Sequence, residues 1–392
     1  ALLGETANDA ITARLERTDR AIAEALAAFD ATRPSTVVPH VATALSSLRE
    51  ARGLATALPE TDFILAVKER QLADALATAS GITLSALATP RTAAVGTPMG
   101  PAVPGQRLDV HVDVRGGAVP AEVLDVQLTS RAGWIPTTWG DRGALPLAEG
   151  LTTRLALDIP VDAEPTRPWF HRPDIRVNQY LVRDSSEIHL GESRPRAEVT
   201  ATLVVDGVPF TVTAPVRTLE SNAPWGTLQR PLEVAPLVSL RVAPRVAIRA
   251  GPGPFTVTVD ATSNAPGALE ATVGLQLPDG WTAEPANREP AAADAGTASV
   301  PLSFAGPGET LTTFRVTIPE GGSPASLEGG SYPPAAPVTA VATVDGRAFH
   351  EGYQPIAHHD LRTQRLYEPA VAHVRLLDAG LPSGMRVGYV MG

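Results

Sequence analysis

The sequence predicts a mainly β protein: two tandem immunoglobulin- or fibronectin-like β-sandwiches preceded by a small α-helical region. Three observations predict it. The 392 residues include 33 glycines and 37 prolines, about 18% against a usual share of roughly 12%, which favours short elements joined by turns. Apolar residues recur at helical spacing only over the first eighty positions and alternate with period two thereafter. Four blocks of the β region then return in the same order, as expected of a duplicated domain. The length allows several domains, each able to bury its own core.

In the helical region, 1–81, Ile11, Leu15, Ile22, Leu26 and Phe29 form one face, and Glu16, Arg17, Asp19, Arg20 and Glu24 supply the other. This predicts an amphipathic helix over 8–31, ended by Pro34. A second helix is expected after Pro39 through Val41, Leu45, Leu48 and Leu54. A third is expected from Asp62 as N-cap to Gly81, the residue type favoured just past a helix C-terminus. Such helices make a small bundle or packing arm, that is, a docking platform without chemistry.

The first sandwich is placed at 82–227 and the second at 228–376. Leu108, Val110, Val112 and Val114 alternate with Arg107, Asp109, His111 and Asp113, as in a half-buried strand. Phe255, Val257, Val259 and Ala261 repeat the pattern further on. Gly133-Trp134 returns as Gly280-Trp281, each after an apolar strand, and Leu155–Pro160 returns as Phe314–Pro319. Val199–Phe210 aligns with Val338–Phe349 without a gap, and its Asp206-Gly207 and Asp345-Gly346 pairs predict type I′ hairpin turns. Each copy then holds about seven strands, the count of an immunoglobulin-like sandwich. Trp134 and Trp281 are read first as indoles covering the core and second as carbohydrate-stacking rings.

The formal net charge of −10 opposes a nucleic-acid or anionic-membrane partner, since phosphates are bound by clustered basic groups. Lys68 is the single lysine, and the arginines are scattered. There is no cysteine, so neither disulfides nor thiolate chemistry enter, and no run approaches a membrane span. The first residues lack an initiator Met and a charged leader region, as in a mature or trimmed chain.

No catalytic, cofactor-binding or metal residue is assigned. A zinc hydrolase needs clustered His or carboxylate ligands and a base, and none of the eight histidines lies in a His-Glu-x-x-His motif. The densest group is His358-His359-Asp360, whose neighbouring side chains point to opposite faces if they lie on a strand. No Gly-x-Ser-x-Gly elbow occurs, and Gly251-Pro-Gly-Pro254 lacks the N–H groups of a phosphate loop. Carboxylates suited to glycoside hydrolysis are too many to single out.

The most unusual segment is Thr166–Asp174, which gathers Arg167, Trp169, His171 and Arg172, with Tyr180 close behind. The second copy replaces it with Ser323–Pro334. Aromatic and arginine side chains are common interface anchors, so the candidate contact surface comprises these five residues together with Trp134, Trp281, His358 and His359.

Several stretches carry a family likeness: Leu45–Arg52 in the helical region, Pro104-Gly105, Thr166–Trp169, Arg230–Ser239 and the ending Arg386–Gly392. Their order resembles the long bacterial members of the PIG-L (LmbE-like) deacetylase family, metal-dependent N-acetylglucosaminyl deacetylase-like enzymes with β domains after the catalytic one. The second β domain also resembles the NEW-type domain associated with α-galactosidases. The family's Ala-His-Pro-Asp-Asp-type catalytic segment is nowhere in the chain. The resemblance therefore implies an accessory region that positions the enzyme or contacts glycan, with zinc in a catalytic domain outside the chain. It implies a secreted, periplasmic or cell-surface setting, with that catalytic domain as partner, and 377–392 as the start of a further α/β domain. The rivals are a stand-alone carbohydrate-binding or adhesion module and a hydrolase in its own right.

Overall fold

The computed structural model describes residues 9–55, 58–117, 119–130, 134, 137–140, 143–148, 150–172, 177–222, 226–249, 251–286, 299–320, 335–358, 361–376, 384, 386 and 388. The fold is mostly β, with several antiparallel-rich sheets and a small N-terminal helical region. It divides into two units, 1–163 with 169–233, and 164–168 with 234–392. Apart from 384, 386 and 388, the expected further domain at 377–392 lies outside the described residues, as does the loop 323–334.

The first unit opens with α1 (Asp9–Ala28), α2 (Val38–Leu54) and α3 (Pro59–Ala79). Ile11, Leu48, Ala51, Ala55 and Leu65 form their shared core, with Leu15, Leu58 and Leu72 packed against it. Two expectations are corrected, and the buried face of α1 is a further finding. First, α1 stops at Ala28, and Pro34 begins a short 3₁₀ turn instead of ending the helix. Second, α3 starts at Pro59, whose missing N–H costs nothing in the first turn, and Asp62 pairs with Arg52 instead of capping. Helix α1 buries Ile11, Thr18, Ala21 and Ala25 and turns Ile22 and Leu26 outward, with Phe29 just past its end also exposed, because small side chains let α1 sit close on α2. Gly81, with φ +67°, terminates α3 as expected.

The first sandwich is built from β1 (Thr83–Pro90), β2 (Arg107–Arg115), β3 (Ala121–Ser130), β4 (Thr137–Thr138), β5 (Leu145–Pro146) and β6 (Leu151–Asp158). After a small hairpin of β7 (Phe170–His171) and β8 (Leu181–Val182) come β9 (Ala197–Val205), β10 (Val208–Pro215), β11 (Arg217–Asn222) and β12 (Gly226–Pro231). One sheet runs β12-β11-β1-β2-β6 and the other β10-β9-β3-β4, with β5 also on β3. Strand β9 alternates strictly between buried and half-buried, which places Val199, Ala201 and Leu203 in the core. Asp109, expected on the polar side of β2, is buried and paired with Arg91 (3.3 Å) and Arg154 (3.4 Å).

The second sandwich contains β13 (Val238–Ala243), β14 (Val246–Arg249), β15 (Gly253–Ser263), β16 (Leu269–Gln276), β17 (Thr282–Pro285), β18 (Ser299–Phe304) and β19 (Gly308–Ile318). It continues with β20 (Ala336–Val344), β21 (Arg347–Phe349), β22 (Glu351–His358), β23 (Leu361–Pro369) and β24 (Val371–Leu376). Its sheets run β13-β15-β19-β17 and β14-β24-β20-β16-β18, with β21 on β20, and β22 and β23 form a separate hairpin. Val257, Val259, Phe314, Val316, Val338 and Ala340 fill the core. Fully burying each large apolar side chain contributes about 1.5–3 kcal/mol.

The duplication is visible in the ladders. In the first copy β2 lies between β1 and β6, and in the second β15 lies between β13 and β19. Likewise β3 pairs with β9, which turns into β10, as β16 pairs with β20, which turns into β21. Both turns have two residues of positive φ: Asp206 (49°) and Gly207 (73°), Asp345 (47°) and Gly346 (77°). These are the backbone angles that the Asp-Gly pairs predict.

Candidate functional site

Of the segment singled out by sequence, Trp169 to Arg172 lie with Tyr180 at the β7–β8 hairpin of the first unit, and 173–174 lie outside the described residues. Trp169 packs edge-on against Phe170 (ring centroids 4.9 Å), and Phe170 against Tyr180 (5.4 Å). The backbone N–H of Arg183 donates to the Trp169 carbonyl (2.6 Å), closing the hairpin, and Arg172 Nε donates to the Val177 carbonyl (2.6 Å). A buried Glu187 accepts from the Arg194 N–H (3.1 Å) at the base. On this frame Tyr180, 59% exposed, stands in solvent with Phe170, Leu181, Val182, Ile188 and Leu190. Nδ1 of His171 is buried and meets no partner among the described residues.

The other candidates separate. Arg167 belongs to the second unit, where it ion-pairs with Glu351 and stacks over the Tyr367 ring (4.5 Å). Trp134 is 4% exposed and lines the first core, so no face of it is free to stack on a sugar. Trp281 is half-buried against the second core, edge-on to Phe255 (6.1 Å). His358 is exposed at the end of β22, and His359 lies outside the described residues. Sequence reasoning thus found one hairpin and joined to it four residues that serve other places.

A second surface is the outward stripe of α1 and the residue that follows it. Ile22, Leu26 and Phe29 lie at i, i+4 and i+7 and are 37%, 75% and 61% exposed. The periodicity is that of a buried face, and among the described residues no helix covers it.

A third feature had no sequence signal. In the second unit a cleft of about 430 Å³ opens between the β13–β15 sheet and the β22–β23 hairpin. Arg241 sits directly across from Asp260 in the ladder, ion-pairs with it, and reaches Glu309 (3.5 Å). Arg245 pairs with Glu368 (2.7 Å). The Tyr353 hydroxyl donates to Asn264 Oδ1 (2.6 Å), and Asn264 Nδ2 donates to the Pro236 carbonyl (2.7 Å) and Ser239 Oγ (3.1 Å). Burial pushes the Tyr353 hydroxyl up from its ordinary value. Hydrogen bonding to Asp260 and its negative charge push the Glu309 carboxyl up. These groups occupy the polar positions of alternating strands, and only the pairing register brings them together.

Among the described residues no cluster of three or more His, Asp or Glu side chains is placed to hold a metal ion, and no helix is long and apolar enough to cross a membrane.

No family model and no curated protein matches the chain. Solved structures give distant similarities. A red sea bream transglutaminase is 14% identical with a TM-score of 0.24, over 71% of this chain and 31% of that one. A variant of BcpA, the major pilin subunit of Bacillus cereus, is 9% identical with a TM-score of 0.22, over 75% of this chain and 70% of that one. The chain thus spans under a third of the transglutaminase, and neither similarity bears on function.

Proposed function

We propose that the chain is a non-catalytic accessory region whose first unit docks on a neighbouring domain and positions it. The observation that carries this reading is the α1 stripe. Leu26 and Phe29 face water beside a partly exposed Ile22, and fully burying a large apolar side chain is worth roughly 1.5–3 kcal/mol, of which the two most exposed forfeit the greater part. Contiguous exposed apolar surface of this kind marks an interaction site. The β7–β8 hairpin adds a second, aromatic surface of the same character on that unit.

The neighbour that the sequence resemblance implies is the catalytic domain of a PIG-L-like metal-dependent deacetylase, with its zinc held there and the protein working outside the cytoplasm. The rival is an adhesion module stacking glycans on Trp134, Trp169 or Trp281; Trp134 is buried and Trp281 packs against the second core, which leaves Trp169, half-buried in the hairpin, as its remaining ring. The test is to read the complete open reading frame, express any preceding domain separately, and titrate it with this chain. Docking is expected to be saturable and at least tenfold weaker for Leu26→Ser/Phe29→Ser. A start codon immediately before Ala1, or binding indifferent to that variant, contradicts the proposal.

A further inference from the structure

We propose that strand β14 is a pairing edge that joins two copies of this chain antiparallel across a twofold axis. Among the described residues β14 ends its sheet, and its one neighbour is β24, which it meets in a parallel ladder. In such a ladder alternate residues turn both backbone groups toward the same neighbour. The Arg245 carbonyl accepts from the His373 N–H (2.8 Å), so residues 245, 247 and 249 serve β24. The N–H and C=O groups of Val246 and Ile248 therefore face the open side. Their side chains are 59% and 66% exposed, while Ala247 between them packs on the second core.

The equivalent edge of the first copy is guarded. There β10 lies beyond β9, where the second copy has β24 and then β14 beyond β20. β10 carries Pro209 and Pro215, and Arg49 of α2 donates to the Pro209 carbonyl. Prolines and charged side chains are the usual guards of an exposed edge. β14 contains no proline, and its one charged residue, Arg249, is turned back onto the Pro254 carbonyl (3.1 Å).

The occupant follows from register. Set antiparallel to itself about Ala247, the strand brings Val246 opposite Ile248 of the second copy, and Ile248 opposite Val246. Both are hydrogen-bonded pairs, which exchange two N–H···O bonds each and so use the backbone groups that the edge leaves open. The closer, non-hydrogen-bonded position on the axis falls to Ala247, the smallest side chain of the run. Val and Ile meet on the outer face, where β-branched pairs pack well. The one opposed contact sets Arg249 against Arg245 of the second copy, and Glu368 already neutralises Arg245 (2.7 Å). A slip of one residue would turn the open groups of one strand away from those of the other. So short a ladder buries well under the roughly 1,200 Å² of a standard interface, which makes the dimer weak and reversible.

This edge belongs to the second unit and is independent of the docking surfaces of the first. The test is sedimentation equilibrium of the intact chain from low to high micromolar concentration. A monomer–dimer equilibrium is expected, at least tenfold weaker for Ile248→Lys and for Val246→Pro and unchanged for Leu26→Ser/Phe29→Ser. Val246→Pro removes an N–H that β24 does not use, so it separates strand pairing from general apolar association. The chain has no cysteine, so Ala247→Cys reports the register. Its two copies would meet on the axis with Cα atoms about 4.5 Å apart, within disulfide range. Mild oxidation is expected to cross-link Ala247→Cys readily and Val246→Cys far less. A chain that stays monomeric, a dimer that ignores both edge variants, or equal cross-linking of the two cysteine variants overturns the proposal.

Discussion

Gly352 rests against the main chain of Leu240: a Cβ built on it would meet the Leu240 carbonyl oxygen at 2.2 Å and its nitrogen at 2.8 Å. The β22–β23 hairpin thereby touches strand β13 backbone to backbone, and one wall of the cleft is set by the absence of a side chain. Around this contact Tyr353 and Tyr367 pack edge-on (5.6 Å), and Arg167 stacks on Tyr367. The contact fixes the hairpin against the sheet without a hydrogen-bonded ladder between them.

Gly352→Ala forces the hairpin away from β13. Overpacking of this kind costs about 1–3 kcal/mol. Denaturant unfolding is expected to show the loss in the transition of the second unit, with the first unit unchanged.

The two Asp-Gly turns give a matched pair of tests. Asp206 and Asp345 both adopt a left-handed backbone, which Asn tolerates and a β-branched residue does not. Asp206→Val and Asp345→Val are each expected to lower stability by about 1–2 kcal/mol, and the Asn variants by little. Thermal melts of the four variants check this.

The turns, the doubled strand order and the β-sandwich class were all legible in the sequence, because each rests on a local pattern: alternation, a turn dipeptide, or a repeated block. The α1 face was not. Ile22, Leu26 and Phe29 have the spacing of a buried stripe, and periodicity reports which residues share a face but not which face a neighbour covers. The cleft was illegible for another reason. Arg241, Asp260 and Glu309 are far apart in sequence and meet through the β13–β15–β19 register. Trp134 and Trp281 are the reverse case, conspicuous residues whose rings do ordinary packing.

The helical region carries a pH signature. Burial alone would push the Glu69 carboxyl up, but hydrogen bonds from Arg49 (2.7 Å) and Arg52 (2.8 Å) outweigh it and hold the carboxyl below its ordinary value. Because the folded value is the lower one, its contribution is present above the unfolded carboxylate range and lost as pH falls through the folded value. Glu69→Gln is expected to cost about 1–3 kcal/mol at pH 7 and to flatten the acid slope. Denaturation midpoints between pH 7 and pH 3 measure both effects.

Ile11 and Leu26 lie on the same helix and should respond oppositely to truncation. Ile11→Ala opens the helical core and is expected to cost about 2–5 kcal/mol. Leu26→Ser is expected to change stability by less than about 0.5 kcal/mol and to raise solubility. Melting temperature and solubility limit of the two variants distinguish a covered face from a bare one.

The docking role is tested most directly by hydrogen–deuterium exchange and surface labelling of the complete gene product against this chain alone. The account predicts that α1 from Ile22 to Ala28 and the hairpin around Phe170 and Tyr180 gain protection in the complete protein, while the second-unit core exchanges alike in both. Equal exchange and equal labelling of Leu26, Phe29 and Tyr180 in the two proteins would contradict it.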